Sequence, residues 1–234
     1  MATISRGSRA TFDERTFSFL SELARNNRRD WFQRHKNRYE AFVLAPALSF
    51  IEAMAPKLRT ISIHFDATSK RTGGSLMRIH RDTRFSRDKT PYKTNIGIQF
   101  RHERGRDVHA PGFYVHIEPG GCFLGAGLWR PDSGALRAIR NEIVDRPKAW
   151  RGASRGKRFS DHFALAGDSL KRPPPGFPAD HAHVEDLKRK DFIAIAALAE
   201  GAVQEREFPT TVTSMLRRTS ALMAFLCGAV DLSY

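Results

Sequence analysis

The strongest constraint on the fold is a change in the spacing of apolar residues near residue 75. Before this point apolar side chains recur every three or four residues, which is the spacing of one helix face. In residues 92–101 and 113–118 they recur at every second position instead. Alternate side chains of a strand point to opposite faces of a sheet, so this period predicts half-buried strands. A Pro-Gly-Gly turn at 119–121 indicates a β-hairpin.

Helical spacing dominates on both sides of this region. Thr11 and Glu14 have the spacing of a capping box at the start of the first helix, and a final helix is predicted from Pro209. We predict a flexible basic tail at 1–10 and a single domain at 11–234, made of N-terminal helices (11–60), a sheet core (61–130) and a helical, loop-rich C-terminal part (131–234). The predicted fold class is α+β: an antiparallel β-sheet of four or more strands, with N- and C-terminal helices packed mainly on one face and the other face largely polar.

Three local segments carry further expectations. Residues 76–80 are predicted to add a strand to the sheet. Residues 151–160 are polar and basic, which indicates an exposed loop. The apolar segment 192–198 fits either a strand or a helix, because a short apolar run has no diagnostic period.

Composition excludes several classes of protein. The chain has 234 residues and is 41% hydrophobic, which allows a core and excludes wholesale disorder. Cys122 and Cys227 lie far apart among apolar neighbours, so we expect neither a disulfide framework nor a metal knuckle, and we expect a reducing, cytoplasmic compartment. The longest apolar run, 221–230, is shorter than the roughly 20 residues of a membrane span. We therefore expect a soluble protein without a membrane partner.

Positive charge is concentrated in one stretch. The net charge is +14, and residues 68–108 hold eleven Lys or Arg against four acidic residues, which is half of that excess. Arginine forks bind planar oxyanions through paired hydrogen bonds, and lysines add point charges. If a strand continued through residue 84, alternate side chains of its basic part would share one face. The stretch predicts a phosphate or carboxylate site formed by Arg78, His80, Arg81, Arg84, Lys89, Tyr92 and Lys93.

A second cluster is predicted on the same sheet face. His116 and Glu118 are two residues apart on one strand, and a neighbouring strand would place His80 and Asp82 beside them. Two imidazoles and two carboxylates suit general acid–base chemistry or a divalent metal, whereas the alternative is a solvated strand face. We take His116, Glu118 and Asp82 as candidate catalytic residues. Asp82 is expected to stay ionised between its arginine neighbours.

The next strand has few side chains on one face. Gly125 and Gly127 alternate with Phe123 and Trp129, which leaves either room for a ligand or a close helix contact. Trp129 is a candidate for stacking on a base or sugar, although an aromatic residue here also fits a core.

The basic stretch also resembles a family signature. The pattern RxxRDxRFxxxKxPY at residues 78–92 resembles that of the domain-of-unknown-function 2461 family, which comprises conserved hypothetical proteins of bacteria and fungi. Further matching segments are NxxDWFxxHK at 27–36, PGFYxHIEP at 111–119 and LKRKDF at 187–192. The resemblance covers nearly the whole chain. It implies no activity, substrate or cofactor, so the functional hypothesis depends on the residues.

Three functions remain open from the sequence. The first is binding of a phosphorylated or other anionic small molecule at the Arg-rich site, with His116 or Glu118 moving a proton if the protein is an enzyme. The second is a nucleic-acid-binding module, which the charge and the aromatic residues of the basic stretch favour. The third is a protein interaction scaffold with a structural Arg/Asp network, in which Arg84→Ala would unfold the chain. Cofactors, metals and oligomeric state are left open.

Overall fold

The alternating segment forms the centre of a six-stranded antiparallel sheet in the computed structural model, which describes residues 11–105 and 110–234. The predicted tail at 1–10 lies outside the described residues. The sheet order is β1-β2-β3-β4-β6-β5, which confirms the α+β class with more strands than the minimum of four. The strands are β1 (Phe65–Asp66), β2 (Ile96–His102), β3 (Gly112–Ile117), β4 (Phe123–Leu128), β5 (Ala164–Ala166) and β6 (Phe192–Ala197).

Helices precede and follow the central strands. The N-terminal ones are α1 (Glu14–Arg25), α2 (Arg29–Arg34), α3 (Lys36–Tyr39), a π-helical turn (Glu40–Leu44) and α4 (Ala45–Arg59). The C-terminal ones are α5 (Ser133–Asp145), α6 (Pro147–Arg155), α7 (Lys157–Ser160), α8 (Val184–Leu187), α9 (Glu200–Gln204), α10 (Phe208–Arg217) and α11 (Ser220–Ala229).

The capping box of α1 lies two residues later than predicted. The Asp13 side chain accepts a hydrogen bond from the backbone N–H of Arg15, and the Thr16 hydroxyl accepts one from the N–H of Asp13. The Thr16 hydroxyl also donates to the Phe42 carbonyl at 2.7 Å, which ties the start of α1 to the π-helical turn. An aspartate cap with a reciprocal partner satisfies the same free donors that the predicted Thr11 box would have satisfied.

Helices from both ends of the chain cover one face of the sheet, as predicted. On this face Phe100 of β2 pairs with Phe113 of β3, and both side chains are fully buried. Ala126 and Ala194 continue the row across β4 and β6. Helix α4 contacts β2, and helices α10 and α11 contact β4. Burial of a phenylalanine side chain contributes about 1.5–3 kcal/mol, so this row is a main source of stability.

The opposite face is apolar over much of its area, and the prediction of a largely polar face is wrong there. Its central row runs from Gln99 through Tyr114 and Gly125 to Ile195, and Ile193 lies in the next row. The two isoleucines come from β6, whose sequence was compatible with either a strand or a helix. The apolar strand β6, from the C-terminal part of the chain, therefore lies beside β4 and contributes to the face that was predicted from the polar residues of β2 and β3.

Residues 75–93 form an irregular hairpin in place of the predicted extra strand. Single bridges join Leu76 to Ile98 and His80 to Tyr92. The Arg81 N–H donates to the Pro91 carbonyl at 2.9 Å, but proline has no N–H with which to continue the ladder. The chain turns after this point, so the condition under which residues 78–84 would share one face is not met.

The basic segment 151–160 is helical, which corrects the prediction of an exposed loop. Helix α6 runs to Arg155, and α7 follows at Lys157–Ser160. Trp150, Ala153 and Phe159 of these helices are buried, whereas Arg151, Lys157 and Arg158 are exposed. The segment is an amphipathic helix, and its many polar residues on one face led to the prediction of a loop.

A buried carboxylate connects the C-terminal elements. Asp186 is 1% exposed and accepts hydrogen bonds from Trp150 Nε1 and from an Arg155 guanidinium nitrogen, both at 2.7 Å. Arg189 Nε approaches the other carboxylate oxygen at 3.4 Å. Nearby, Asp191 Oδ1 accepts from the Arg130 N–H at 2.7 Å, where Arg130 has a positive φ of 50°. The LKRKDF segment thus has a structural role in joining helices to β6.

One continuous helical stretch, Lys36–Leu58, is long and apolar enough to cross a membrane by length and composition, with a mean hydropathy of 1.4. Ile51, Met54 and Leu58 within it are fully buried in the hydrophobic core. Core helices pass the same test of length and composition, and the burial of these side chains accounts for the hydropathy.

Candidate functional site

A groove of about 360 Å³ lies on the apolar face of the sheet. We call it the sheet groove. Ile193 and Ile195 of β6 form one side, and Trp129, just after β4, lies at its rim with 47% of its surface exposed. The side chains that give the groove its character are Met77, Tyr114, Phe123, Trp129, Ile193 and Ile195.

Glycines on this face of the sheet occupy positions where a larger residue would not fit. A Cβ atom at Gly97 would lie 2.8 Å from Tyr114 Oη and 3.0 Å from Met77 Sδ, so any side chain there would displace both. Gly127 has a φ of +127°, and a Cβ there would meet the Phe192 carbonyl oxygen at 2.1 Å. The glycines of the sequence alternation, Gly125 and Gly127, both line the sheet groove, and the close contact at Gly127 is with the neighbouring strand and not with a helix.

A hydrogen-bonded series of side chains borders the groove. Tyr114 Oη lies 3.1 Å from His116 Nδ1, and His116 Nε2 lies 3.1 Å from Glu118 Oε2. Thr94 donates its hydroxyl proton to Glu118 Oε1 at 2.8 Å, and Asn95 Nδ2 lies 3.4 Å from His116 Nδ1. A carboxylate only accepts hydrogen bonds, so Nε2 of His116 is assigned as the donor and Nδ1 as the acceptor from Tyr114. We call Tyr114, His116 and Glu118 the groove triad.

Burial controls the protonation of the triad phenol. Burial, followed by the charge of Glu118, raises the pKa of Tyr114 to about 12, while a hydrogen bond with Asn95 acts in the opposite direction. The phenol therefore keeps its proton at neutral pH. Phe123 stacks on the His116 ring with centroids 4.5 Å apart and planes 13° apart, which fixes the imidazole orientation.

Two arginines of the predicted anion site are already paired with carboxylates. Arg84 binds Asp82 through Nε at 3.0 Å and through a terminal nitrogen at 2.7 Å, and Arg81 binds both Asp88 and the Thr90 hydroxyl. Hydrogen bonds from these arginines lower the pKa values of Asp82 and Asp88 to about 2, so both carboxylates are ionised at neutral pH. The ionised state of Asp82 agrees with the prediction, and its partner, the exposed Arg84, fits the interpretation in which Asp82 orients an arginine.

Arg78 and Lys93 differ from the paired arginines. Within the described residues, neither side chain forms a hydrogen bond or an ion pair. Burial, together with the nearby charge of Arg78, lowers the pKa of Lys93. Arg78 directly follows groove residue Met77, and Lys93 precedes the segment whose side chains bind the triad.

The remaining predicted ligand residues of the hairpin have structural contacts. Tyr92 is 2% exposed and stacks on Phe32 with ring centroids 4.1 Å apart. The Asn27 amide donates to the Tyr92 carbonyl at 2.9 Å and accepts from the Tyr92 N–H at 3.0 Å. His80 lies against the Tyr92 ring at 5.2 Å, and Lys89 Nζ donates to a backbone carbonyl at 2.9 Å. Tyr92 therefore anchors the hairpin to α2.

The structure separates the two clusters that the sequence placed together. His116 and Glu118 share a face and bind each other, as their spacing predicted. No contact within the described residues joins them to His80 or Asp82. The described part of the chain also holds no group of three or more His, Cys, Asp or Glu arranged for a metal ion.

Sequence reasoning missed several residues of the site. Tyr114 lies two residues before His116 on the same strand, so the same alternation that paired His116 with Glu118 identifies it. Ile193 and Ile195 had no comparable signal, because their position depends on β6 pairing with β4.

A family model described as "Conserved hypothetical protein (DUF2461)" matches residues 15–225. This match confirms the resemblance found in the sequence. No curated protein and no solved structure matches the chain. The PGFYxHIEP segment contains the whole groove triad, whereas the RxxRDxRFxxxKxPY segment forms the hairpin beside it.

Proposed function

The chain belongs to the DUF2461 family of conserved hypothetical proteins, and we propose that it binds a small anionic molecule with an apolar body in the sheet groove. The observation that carries the proposal is the groove triad at the border of an apolar groove of about 360 Å³. Apolar clefts with a few convergent polar groups are the usual form of small-molecule sites.

The apolar part of the ligand is matched by the groove walls. Phe123 and Trp129 offer aromatic surfaces, and Ile193 offers an aliphatic one. Aromatic side chains prefer offset or edge contacts with flat rings, and these favour a ligand with a ring or a compact hydrocarbon body. Burial of such a body contributes about 25 cal/mol for each Å² of apolar surface removed from water.

The acidic part of the ligand is suggested by two cations, Arg78 and Lys93, that are adjacent in sequence to residues of the groove and of the triad's hydrogen bonds. Lys93 and Arg78 lie near one another, and neither forms a salt bridge in the part of the chain described, although the charge of Arg78 also acts on the Asp82 carboxylate. A bound carboxylate or phosphate would offset the repulsion between these two cations and favour the charged form of Lys93. In this proposal the ligand anion points out of the groove towards these two cations, which do not line it, and not towards the arginines that bind Asp82 and Asp88.

The triad can also assist chemistry on such a ligand. The Tyr114 phenol, protonated at neutral pH, can turn its proton from His116 Nδ1 to a ligand oxygen. His116 Nδ1, 3.1 Å from the phenol oxygen, can then exchange a proton with that oxygen. Glu118 holds the imidazole in the tautomer that this exchange requires. In this arrangement Tyr114 contacts the ligand, and Glu118 is a positioning residue.

The test is a thermal-shift and calorimetric screen of aromatic and aliphatic carboxylates and phosphate monoesters. A ligand at about 100 times its Kd stabilises the folded state by about 2.7 kcal/mol, which raises Tm by roughly 5–10 °C in a chain of this length. Trp129→Ala and Tyr114→Phe should weaken binding of the identified ligand. Ile63→Ala is the matched control, because Ile63 is a 73% exposed apolar residue that does not line the groove.

Two results would contradict the proposal. One is the absence of stabilisation by any compound of these classes. The other is equal binding by Trp129→Ala, Tyr114→Phe and Ile63→Ala, which would place the ligand outside the sheet groove.

A further inference from the structure

The outer part of the irregular hairpin has features that the groove does not use. Residues 78–93, the basic hairpin, contain six Lys or Arg and two acidic residues. Phe85, between Arg84 and Arg87 at its outer end, is 96% exposed. An aromatic ring with almost no protein contact presents both faces to solvent, where a flat partner can stack on it.

Internal hydrogen bonds give the outer end of the hairpin a defined conformation. Arg81 bridges Asp88 and Thr90 across the base of the loop, and Lys89 Nζ donates to the Thr83 carbonyl at 2.9 Å. The Thr90 N–H donates to Asp88 Oδ1 at 2.9 Å. These contacts close the loop without using Phe85, so its ring remains available for a partner.

Cations flank the exposed ring. The Arg84 guanidinium lies 5.8 Å from the centroid of the Phe85 ring while it also binds Asp82. The Arg87 side chain is exposed and forms no hydrogen bond or ion pair within the described residues. An aromatic ring between cations provides the two contacts that single-stranded nucleic acids need, namely base stacking and phosphate neutralisation.

We propose that the outer end of the basic hairpin binds single-stranded nucleic acid, with one base stacked on Phe85 and a neighbouring phosphate contacted by Arg87. The net charge of +14 gives the long-range attraction that such a partner requires. An anionic membrane is the weaker match, because membrane insertion scales with apolar area and Phe85 is the single large apolar side chain exposed in the hairpin. The proposal does not depend on the sheet groove.

The experiment measures fluorescence anisotropy of a labelled single-stranded oligothymidylate titrated with the full chain. Base–aromatic stacking is strong enough that Phe85→Ala should raise Kd about fivefold or more. Ile63→Ala, which removes an equally isolated apolar side chain elsewhere, should leave Kd unchanged. Each phosphate contact contributes about 0.7 to the slope of log Kd against log salt, so Arg87→Ala should lower that slope by about this amount. Arg151→Ala is its control, because Arg151 is exposed on α6.

Three outcomes would overturn the proposal. Phe85→Ala could bind the oligonucleotide as tightly as wild type, or Ile63→Ala could lose as much affinity. The chain could also bind vesicles of anionic phospholipid through Phe85 and fail to bind the oligonucleotide. Trp129→Ala separates the two sites, because it should impair groove ligands and leave oligonucleotide binding unchanged.

Discussion

Replacement of Asn27 by alanine tests how the basic hairpin is attached to the helical layer. Its side-chain amide forms two hydrogen bonds with the backbone of Tyr92, at 2.9 and 3.0 Å, and thus replaces the strand partner that the hairpin lacks at this position. Each bond contributes about 1 kcal/mol, and both are lost together. We therefore expect Asn27→Ala to lower the free energy of unfolding by about 2 kcal/mol, which corresponds to a Tm decrease of roughly 4–8 °C in a chain of this length.

Urea unfolding followed by circular dichroism measures this loss, because the midpoint falls while the slope stays constant. Asn37→Ala is the control: Asn37 is exposed on α3 and forms no side-chain hydrogen bond in the described part of the chain, so its replacement should cost less than about 0.5 kcal/mol. Asn27→Asp keeps the acceptor for the Tyr92 N–H but turns an oxygen towards the Tyr92 carbonyl, so it should not restore stability. Equal midpoints for Asn27→Ala and Asn37→Ala would refute this reasoning.

Three further predictions concern carboxylates and their arginine partners. Asp186→Ala leaves the Trp150 indole N–H without its acceptor, so it should lower the free energy of unfolding by about 3–5 kcal/mol in urea titrations. The Arg84 side chain is 77% exposed, so Arg84→Ala should leave the urea midpoint nearly unchanged. Unfolding caused by Arg84→Ala would instead support the scaffold hypothesis. The pKa values of Asp82 and Asp88 lie at about 2, below their usual 3.8, so their contribution is present above pH 4 and is lost as the pH falls towards 2. Amide chemical shifts of the hairpin should follow this course, and a transition centred near pH 4 would contradict the ion pairing.

Local sequence patterns predicted the elements whose period was unambiguous. The alternation in residues 96–102 and 113–117 became β2 and β3, because one face of each strand is fully buried in the core. The segment 192–198 was ambiguous, since its alanines and isoleucines carry no polar alternation, and only pairing with β4 makes it a strand. Helix α6 was missed because its buried face consists of small and aromatic residues between arginines.

The candidate site was predictable only where it is local. His116 and Glu118 lie on one strand, so their shared face followed from the pleat. The predicted position of their neighbours, His80 and Asp82, required a regular strand through residue 84. The strand pairing stops opposite Pro91, and Asp82 binds Arg84 within the hairpin. The sheet groove could not be predicted, because it depends on the pairing of β6 with β4, and the residue spacing in the first 130 residues does not indicate that pairing.

The two outer strands of the sheet are its shortest. β1 has 2 residues and β5 has 3, while the segment around Leu76 pairs with the remaining edge of β2. Few backbone amides are therefore left in line for a strand from another molecule. We therefore expect the sheet edges to resist strand addition from another molecule, although the same surface carries an apolar groove and an exposed phenylalanine.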